Sequence, residues 1–432
     1  MSELVQRYLD RICAEHVGVA GGALADYIPE LACVDPDGLA LSLSSADGFI
    51  YESGDAATAF TIQSISKPFT YALALDQIGT KAVDAKIGVE PSGEAFNEIS
   101  VDVATKTPKN PMINAGAIAA VSLVPGATPD QKFAMIQDYY SAFAGRHLEL
   151  DEQVYASEKA FGNRNRAIGY MLKSFGVLEG DPDEVLDVYY RQCSLLVTAT
   201  DLAKMGATLA RGGVNPQTGR RVTDASVVRR TLSVMVTCGM YDAAGDWVSA
   251  VGMPAKSGVG GGIVAVLPGE LGIGVYSPLL DGKGNSVRGV SLCRSLSEHL
   301  GLHFLTVARH SPMTLRAVYD ASEGVRVYEA HGDLLFSGAE HVLRVADRDR
   351  DRFEVAILDV SRVDDIDDAA RELLSGLRSA LHAAGKGCYL VDPDGIVIRR
   401  EPELEAIRFR AVDAAVAEAQ AWQGRNRSVS PR

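Results

Sequence analysis

The hexapeptide Gln63-Ser64-Ile65-Ser66-Lys67-Pro68 decides how the rest of the chain reads. Ser64 and Lys67 are three residues apart, so a helical segment puts both on one face. Proline is tolerated only in the first turn of a helix, so Pro68 marks a helix start close to Ser64. A serine there sits at the positive end of the helix dipole, beside backbone N–H groups without helical partners. That place suits a nucleophile, because the alkoxide and the oxyanion formed on attack are both stabilised. A free lysine titrates near ~10.4 and is a poor base at neutral pH. Buried against the apolar helix face around Phe69 and Tyr71, Lys67 loses its proton more readily and can take the one from serine. Ser66 is a rival hydroxyl, but it neighbours Lys67 in sequence and faces elsewhere.

The stretch from Ser64 to about Ile78, closed by Gly79, reads as a buried helix. A second element, Lys256-Ser257-Gly258-Val259-Gly260-Gly261-Gly262, precedes the strand-like run IVAVLP. Its glycines let backbone approach a substrate, and the N–H of Val259 is a candidate second oxyanion donor. A Ser-x-x-Lys helix start with such a strand is the plan of β-lactamases and penicillin-binding proteins. Gly260-x-Gly262-x-x-Ala265 imitates a dinucleotide fingerprint, but a strand follows where that fingerprint needs a helix.

Working outward, residues 3–17 carry helical spacing, and strands at 39–42 and 49–51 flank an Asp47-Gly48 turn. Helices are expected at 129–143, 164–175 and 198–211, the last capped by Thr200 or Asp201. Late strands are expected at 248–251, 262–267 and 272–277, then a helix at 287–300. Strands at both ends with helices between predict an α+β catalytic part whose antiparallel sheet draws on both ends. After a connector at 306–313, strands around Ser322-Glu323-Gly324 lead into a helix at 337–346. A strand at 355–360, a helix at 367–384, a strand at 388–392 and a helix at 401–422 complete a small α/β domain, 314–424. The polar tail 425–432 is expected to be disordered.

Of the 432 residues, 47% are apolar and 23% charged, as in ordinary globular protein. The net charge of -14 argues against a nucleic-acid partner and favours a cytoplasmic setting. The six cysteines form no CxxC pair, and the eight histidines show no ligand spacing, so no metal is expected. His299 and His303 have Gly301 between them and no third ligand. The N-terminal stretch lacks signal-peptide character, and no window is apolar enough for a membrane span.

Seven segments together resemble the bacterial and mitochondrial serine-dependent glutaminase family. They are ADYIPEL (25–31), QSISKPF (63–69), NPMINAGAI (110–118), SEKAFGNRNRAIGY (157–170), VYYRQCS (188–194), CGMYD (238–242) and PAKSGVGGG (254–262). The match runs in order over residues 1–305. The resemblance implies a β-lactamase-like fold and hydrolysis of L-glutamine to L-glutamate and ammonia, without a cofactor. It implies Ser64 as nucleophile and Lys67 as its base. Tyr27, Asn114, Glu158, Asn165, Tyr189, Tyr241 and Val259 would line the glutamine site. The residue types suit this: an acid such as Glu158 pairs with the substrate ammonium, while asparagines and tyrosines bond its carboxylate or amide. Tyr241 or Tyr189 would relay a proton to departing ammonia. Plain structural roles compete: Tyr27 and Tyr189 as core tyrosines, Asn114 as a helix cap. Glu158 and Asn165 would form one polar helix face, were Gly162 not between them. The family is commonly oligomeric, so a homodimer or homotetramer is expected.

Residues from about 311 to 424 resemble a STAS domain, through GDLLFSGAEHVL (332–343) and VAILDVSRVDDIDDAARELL (355–374). Antagonist members carry a phosphorylated serine after the strand. Here the stretch is Asp367-Asp368-Ala369-Ala370, with no hydroxyl, and Asp367 is expected to cap the helix. The domain would dock or oligomerise, or bind a small ligand or protein that modulates activity. Two other classes of function compete: a β-lactam-interacting hydrolase, for which a secretion signal is lacking, and a non-enzymatic regulator, against which the Ser64/Lys67/Tyr241 set argues.

Overall fold

Two five-stranded sheets organise the protein. The computed structural model describes residues 2–92, 101, 105–305, 315–398 and 402–427. They divide into two compact units, Leu9–Ser295 with Leu302–Phe304, and a second holding residues up to Tyr8, Leu296–Gly301 and the chain from Leu305 on. Residues up to Tyr8, Leu296–Gly301 and Leu305 group with the second unit in this division. The connector expected at 306–313 lies outside the described residues.

In the first unit the sheet runs Ile50–Gly54, Ala40–Ser45, Leu271–Tyr276, Gly262–Leu267, Ala255–Ser257, antiparallel throughout. Both ends of the unit contribute, as the strand pattern predicts. Every residue of Gly262–Leu267 and Leu271–Tyr276 is buried. The helix Ala199–Ala210 lies on this sheet because Gly272 and Gly274 present no side chain to it. A Cβ on Gly272 would stand 2.1 Å from the Ala207 nitrogen, and one on Gly274 1.9 Å from the Ala199 carbonyl oxygen. Helices Asn114–Leu123, Pro129–Ala144 and Ala225–Cys238 pack against Lys67–Ile78, whose residues through Leu75 are all buried.

Three expectations need correcting here. Residues 248–251 are not a strand: Ala244–Ala250 is helical, and the edge strand is Ala255–Ser257. Four residues, Val248-Ser249-Ala250-Val251, are too few to distinguish helix from strand. The helix at 199–210 is capped by Thr198, and Asp201 returns the bond to the Thr198 backbone in a capping box. Ser64 lies in a 3₁₀ turn, Gln63–Ser66, that leads into the α-helix at Lys67.

The second unit's sheet runs Arg408–Phe409, Gly387–Val391, Val355–Ile366, Val325–Leu334, Leu315–Ser322. Only the hairpin Leu315–Ser322 with Val325–Leu334 is antiparallel; the other pairs are parallel. Val355–Val360 is buried throughout, as expected of a central parallel strand covered on both faces. Helices Phe336–Arg348 and Asp368–Ala383 follow the strands in alternation. The last helix is Val412–Arg427 rather than 401–422. Ile407 and Phe409, read as helical, belong to a short 3₁₀ turn and to a strand paired with Leu390 and Val391. Residues 425–427, assigned to the tail, continue that helix, and 428–432 lie outside the described residues.

Candidate active site

The 3₁₀ turn matters for Ser64. Three residues complete one turn of such a helix, so positions i and i+3 eclipse and Lys67 rises directly over Ser64. Gln63, which opens the turn, has φ 49°, left-handed for a residue with a side chain. Such a conformation costs about 1–3 kcal/mol and persists where neighbours impose it. The Gln63 amide nitrogen donates to Thr61 Oγ1 and to Glu158 Oε1, both at 3.2 Å. Tyr140 donates to the Ser66 carbonyl at 2.7 Å, and Ser66 Oγ accepts from Gln192. Ser66 is fully buried, while Ser64 remains partly exposed. The turn thus presents one hydroxyl to solvent and locks the other inside.

Lys67 is 1% exposed, and Nζ donates to Asn114 Oδ1 at 2.6 Å. Burial holds the ammonium down to about 8. Asn114 opens the helix Asn114–Leu123, with Ile113 as its extended N-cap, so it is not itself the cap. Asn110 fixes the approach, accepting from the Met112 N–H and donating to the Glu90 carbonyl. Asn114 Nδ2 in turn donates to Asn165 Oδ1 at 2.9 Å. Glu158 and Asn165 lie on separate helices, Glu152–Phe161 and Asn163–Ser174, which break at Gly162. A Cβ there would stand 2.2 Å from the Tyr190 hydroxyl. The break turns both residues toward the Ser64 turn.

Glu158 is 6% exposed and accepts from Tyr27 at 2.6 Å as well as from Gln63. Burial pushes its carboxyl upward, and the two donors oppose that. Tyr27 is 46% exposed as a residue, yet its hydroxyl end is enclosed, and burial then Glu158 raise it well above a free tyrosine. Tyr189 is buried, its hydroxyl against Cys193 and near Glu158 and Tyr27. Burial pushes the Cys193 thiol up to about 12.

The glycine-rich stretch lies along the nucleophile turn. A Cβ on Gly258 would stand 3.1 Å from the Ile62 carbonyl oxygen and from Ile65 Cγ1; one on Gly260 would stand 2.9 Å from the Thr61 carbonyl oxygen. Val259 between them is half-buried and packs beside Ile28, Leu31 and Val154. Tyr241 has φ 56° and donates from its hydroxyl to the Ser257 carbonyl at 3.1 Å. The Tyr241 hydroxyl oxygen in turn accepts from the Ser64 hydroxyl. Burial pushes Tyr241 up to about 12.

All nine residues singled out in the sequence therefore gather about the Gln63–Ser66 turn. Two more were quoted in motifs but given no role. Gln63 ties Glu158 and Tyr27 to the nucleophile turn. Lys256 is 0% exposed, donates to the Ser257 carbonyl at 2.6 Å, and sits 4.0 Å from the centroid of the Tyr241 ring. For Lys256 the available signal was a lysine directly after the apolar Met253-Pro254-Ala255; for Gln63 the residue type gave none. Among the described residues no group of histidines, cysteines or carboxylates is arranged to hold a metal ion.

Residues 22–305 match the glutaminase family model, and residues 316–419 match the STAS domain model. Glutaminase 2 of Bradyrhizobium diazoefficiens is 46% identical over 397 residues, 87% of this chain and 64% of the relative. Glutaminase of Corynebacterium efficiens is 44% identical over 91% of this chain and 93% of its own length. A solved structure titled "Crystal Structure Analysis of Mglu" superposes with a TM-score of 0.69 at 43% identity, covering 91% of this chain and 99% of that one. The fold and the site together define a two-domain protein with a β-lactamase-like part and a C-terminal STAS domain. The chain belongs to the glutaminase family. It spans less than two thirds of the length of both Bradyrhizobium relatives, 64% and 61%. No described helix is long and apolar enough to cross a membrane.

Proposed function

We propose that this chain hydrolyses the side-chain amide of L-glutamine through an acyl-enzyme on Ser64. The observation that carries the reading is Lys67, buried over the Ser64 turn with only a neutral acceptor, Asn114, and held down to about 8. Tyr241 is the competing base, since it already accepts the serine hydroxyl. Magnitudes separate them. At neutral pH a group at about 8 is unprotonated in roughly one molecule in ten, whereas one at about 12 is unprotonated in roughly one in 10⁵. Lys67 is the base, and Tyr241 holds Ser64 in line.

Ser64 Oγ attacks the amide carbon while its proton passes to Lys67. The oxyanion is met by the N–H groups of Ser64 and Val259. The C–N bond breaks, and the nitrogen leaves as ammonia with the proton from Lys67, relayed by Tyr241. Water then attacks the ester and releases glutamate. Glu158, with Tyr27 and Gln63 on it, faces the substrate ammonium; Asn114, Asn165 and Tyr189 bond the rest. We place the protein in the cytoplasm as a homo-oligomer. None of its six cysteines is paired, which suits a reducing compartment. The STAS domain is read as a docking module rather than a phosphorylation switch: Asp367 uses both oxygens, on the Ala370 and Phe336 N–H groups, at the place of the switch.

Ammonia release from L-glutamine tests the mechanism. Wild type is expected to turn over, and Ser64→Ala to lose about 10³-fold or more in kcat. Full activity in Ser64→Ala would remove the serine mechanism.

A further inference from the structure

Lys256 is the one side chain of the cleft that neither nucleophile, base nor substrate contact accounts for. It lies on the edge strand Ala255–Ser257, is wholly buried, and has no carboxylate partner among the described residues. Leaving a lysine amine inside a protein without a counter-ion is costly, so something else holds it there. Its contacts are specific. Nζ lies over the Tyr241 ring at 4.0 Å from the centroid, and it donates to the Ser257 carbonyl at 2.6 Å. That carbonyl is the acceptor of the Tyr241 hydroxyl. Lys256 therefore grips both ends of the Tyr241 pose, the ring by its face and the hydroxyl by its acceptor. Tyr241 needs gripping, since its backbone sits at φ 56°, where a side-chain-bearing residue is strained.

We propose that Lys256 is a positioning residue for amide hydrolysis, fixing the Tyr241 hydroxyl on Ser64 from beneath the ring and through the Ser257 carbonyl. The inference rests on the acyl-enzyme reading above. The groups facing Nζ are Tyr241, Lys67 from the central helix and Cys238 from the helix Ala225–Cys238. Burial first and Lys67 second hold the Lys256 amine well below a free lysine; the Cys238 thiol opposes them. Lys256 donates N–H to the Ser257 carbonyl. Its effect on the reaction passes through geometry rather than proton transfer.

The test is a double-mutant cycle on the full chain, with Ser64→Ala as the blank. Lys256→Met keeps the length and the apolar stem of the side chain but has no donor. It is expected to lower kcat about 10- to 100-fold with KM changed less than about threefold, since the substrate contacts stay in place. In a Tyr241→Phe background the same substitution is expected to cost less than about threefold, because residues acting as one unit are not additive. Lys256→Gln restores an N–H donor without charge and should recover at least several-fold over Lys256→Met. It also serves as the informative variant if Lys256→Met fails to fold, as judged by its thermal transition. Full additivity in the cycle, wild-type kcat in Lys256→Met, or full activity in Tyr241→Phe overturns the proposal. Each of these is distinct from failure of the serine mechanism, which only an active Ser64→Ala would signal.

Discussion

The two units differ in the partners of their buried charges, though with overlap: Asp201 of the first unit meets Arg146 at 2.5 Å. In the C-terminal unit four buried charges show how such groups are answered. Asp392, 0% exposed, accepts from the N–H groups of Ile396, Val397 and Ile398. Asp349 receives Arg326 at 3.0 Å, Glu340 pairs with Arg344, and Arg371 donates to the Ile366 carbonyl and pairs with Asp368. In the catalytic unit Lys67, Lys256 and Glu158 are as deeply buried, yet among the described residues none meets an opposite charge. An answered charge holds a loop or a helix end in place. An unanswered one carries a shifted pKa and waits for a substrate or a proton, and such groups gather at functional sites. The difference marks off the candidate site of the first unit from the charges that hold structure in both units.

Replacing Lys67 strikes this contrast hardest. Lys67→Met removes the base of the proposed mechanism, so kcat is expected to fall about 10³-fold. Near-normal turnover would mean that the amine is structural, like the buried charges of the other unit. Glu158→Gln comes next. It keeps the acceptor for Tyr27 and Gln63 but meets the substrate ammonium with a neutral amide. We expect a loss of about 100-fold in kcat/KM, carried mostly by KM. An unchanged KM would remove Glu158 from the ammonium site.

The pH profile of the wild type is the gentler probe. The reactive form has Lys67 neutral, and burial places that proton at about 8. Below this value kcat/KM should rise about tenfold per pH unit, then flatten above it, because raising pH deprotonates the base. A profile flat from the acid side through neutrality would contradict a lysine base. Burial also makes the folded state release this proton before the unfolded chain does. Keeping Lys67 charged therefore costs stability below about 8, and the cost fades as pH rises toward the free-lysine value near ~10.4.

Much of this was legible in the sequence, and the limits have physical causes. Helix ends were readable where a side chain marks them. Gly79 closes the central helix, and Asp367 opens one by accepting the Ala370 N–H. The buried strands Gly262–Leu267 and Val355–Ile366 show as apolar runs. The stretch at 248–251 misled because four residues are too few to show a period. Within the site, Ser64 and Lys67 were visible through their spacing. Lys256 was quoted without a role because its partner is a ring fifteen positions earlier, brought over it where the Ser257 N–H meets the Gly239 carbonyl. Gln63 was silent because its role comes from a backbone angle that no residue type announces.

The smallest expected effect on catalysis tests the other side of the contrast. Asp392→Ala leaves three buried N–H groups without their acceptor, and such a loss costs about 2–4 kcal/mol. Calorimetry should show the C-terminal unit melting earlier, while glutamine turnover measured below that transition stays within about twofold of wild type. The sign of the pairing explains why: these N–H groups close a loop of their own unit and face no reacting group. A variant that melts normally but turns over poorly would mean that an answered charge can serve the reaction as directly as an unanswered one, and pairing would no longer mark off the candidate site.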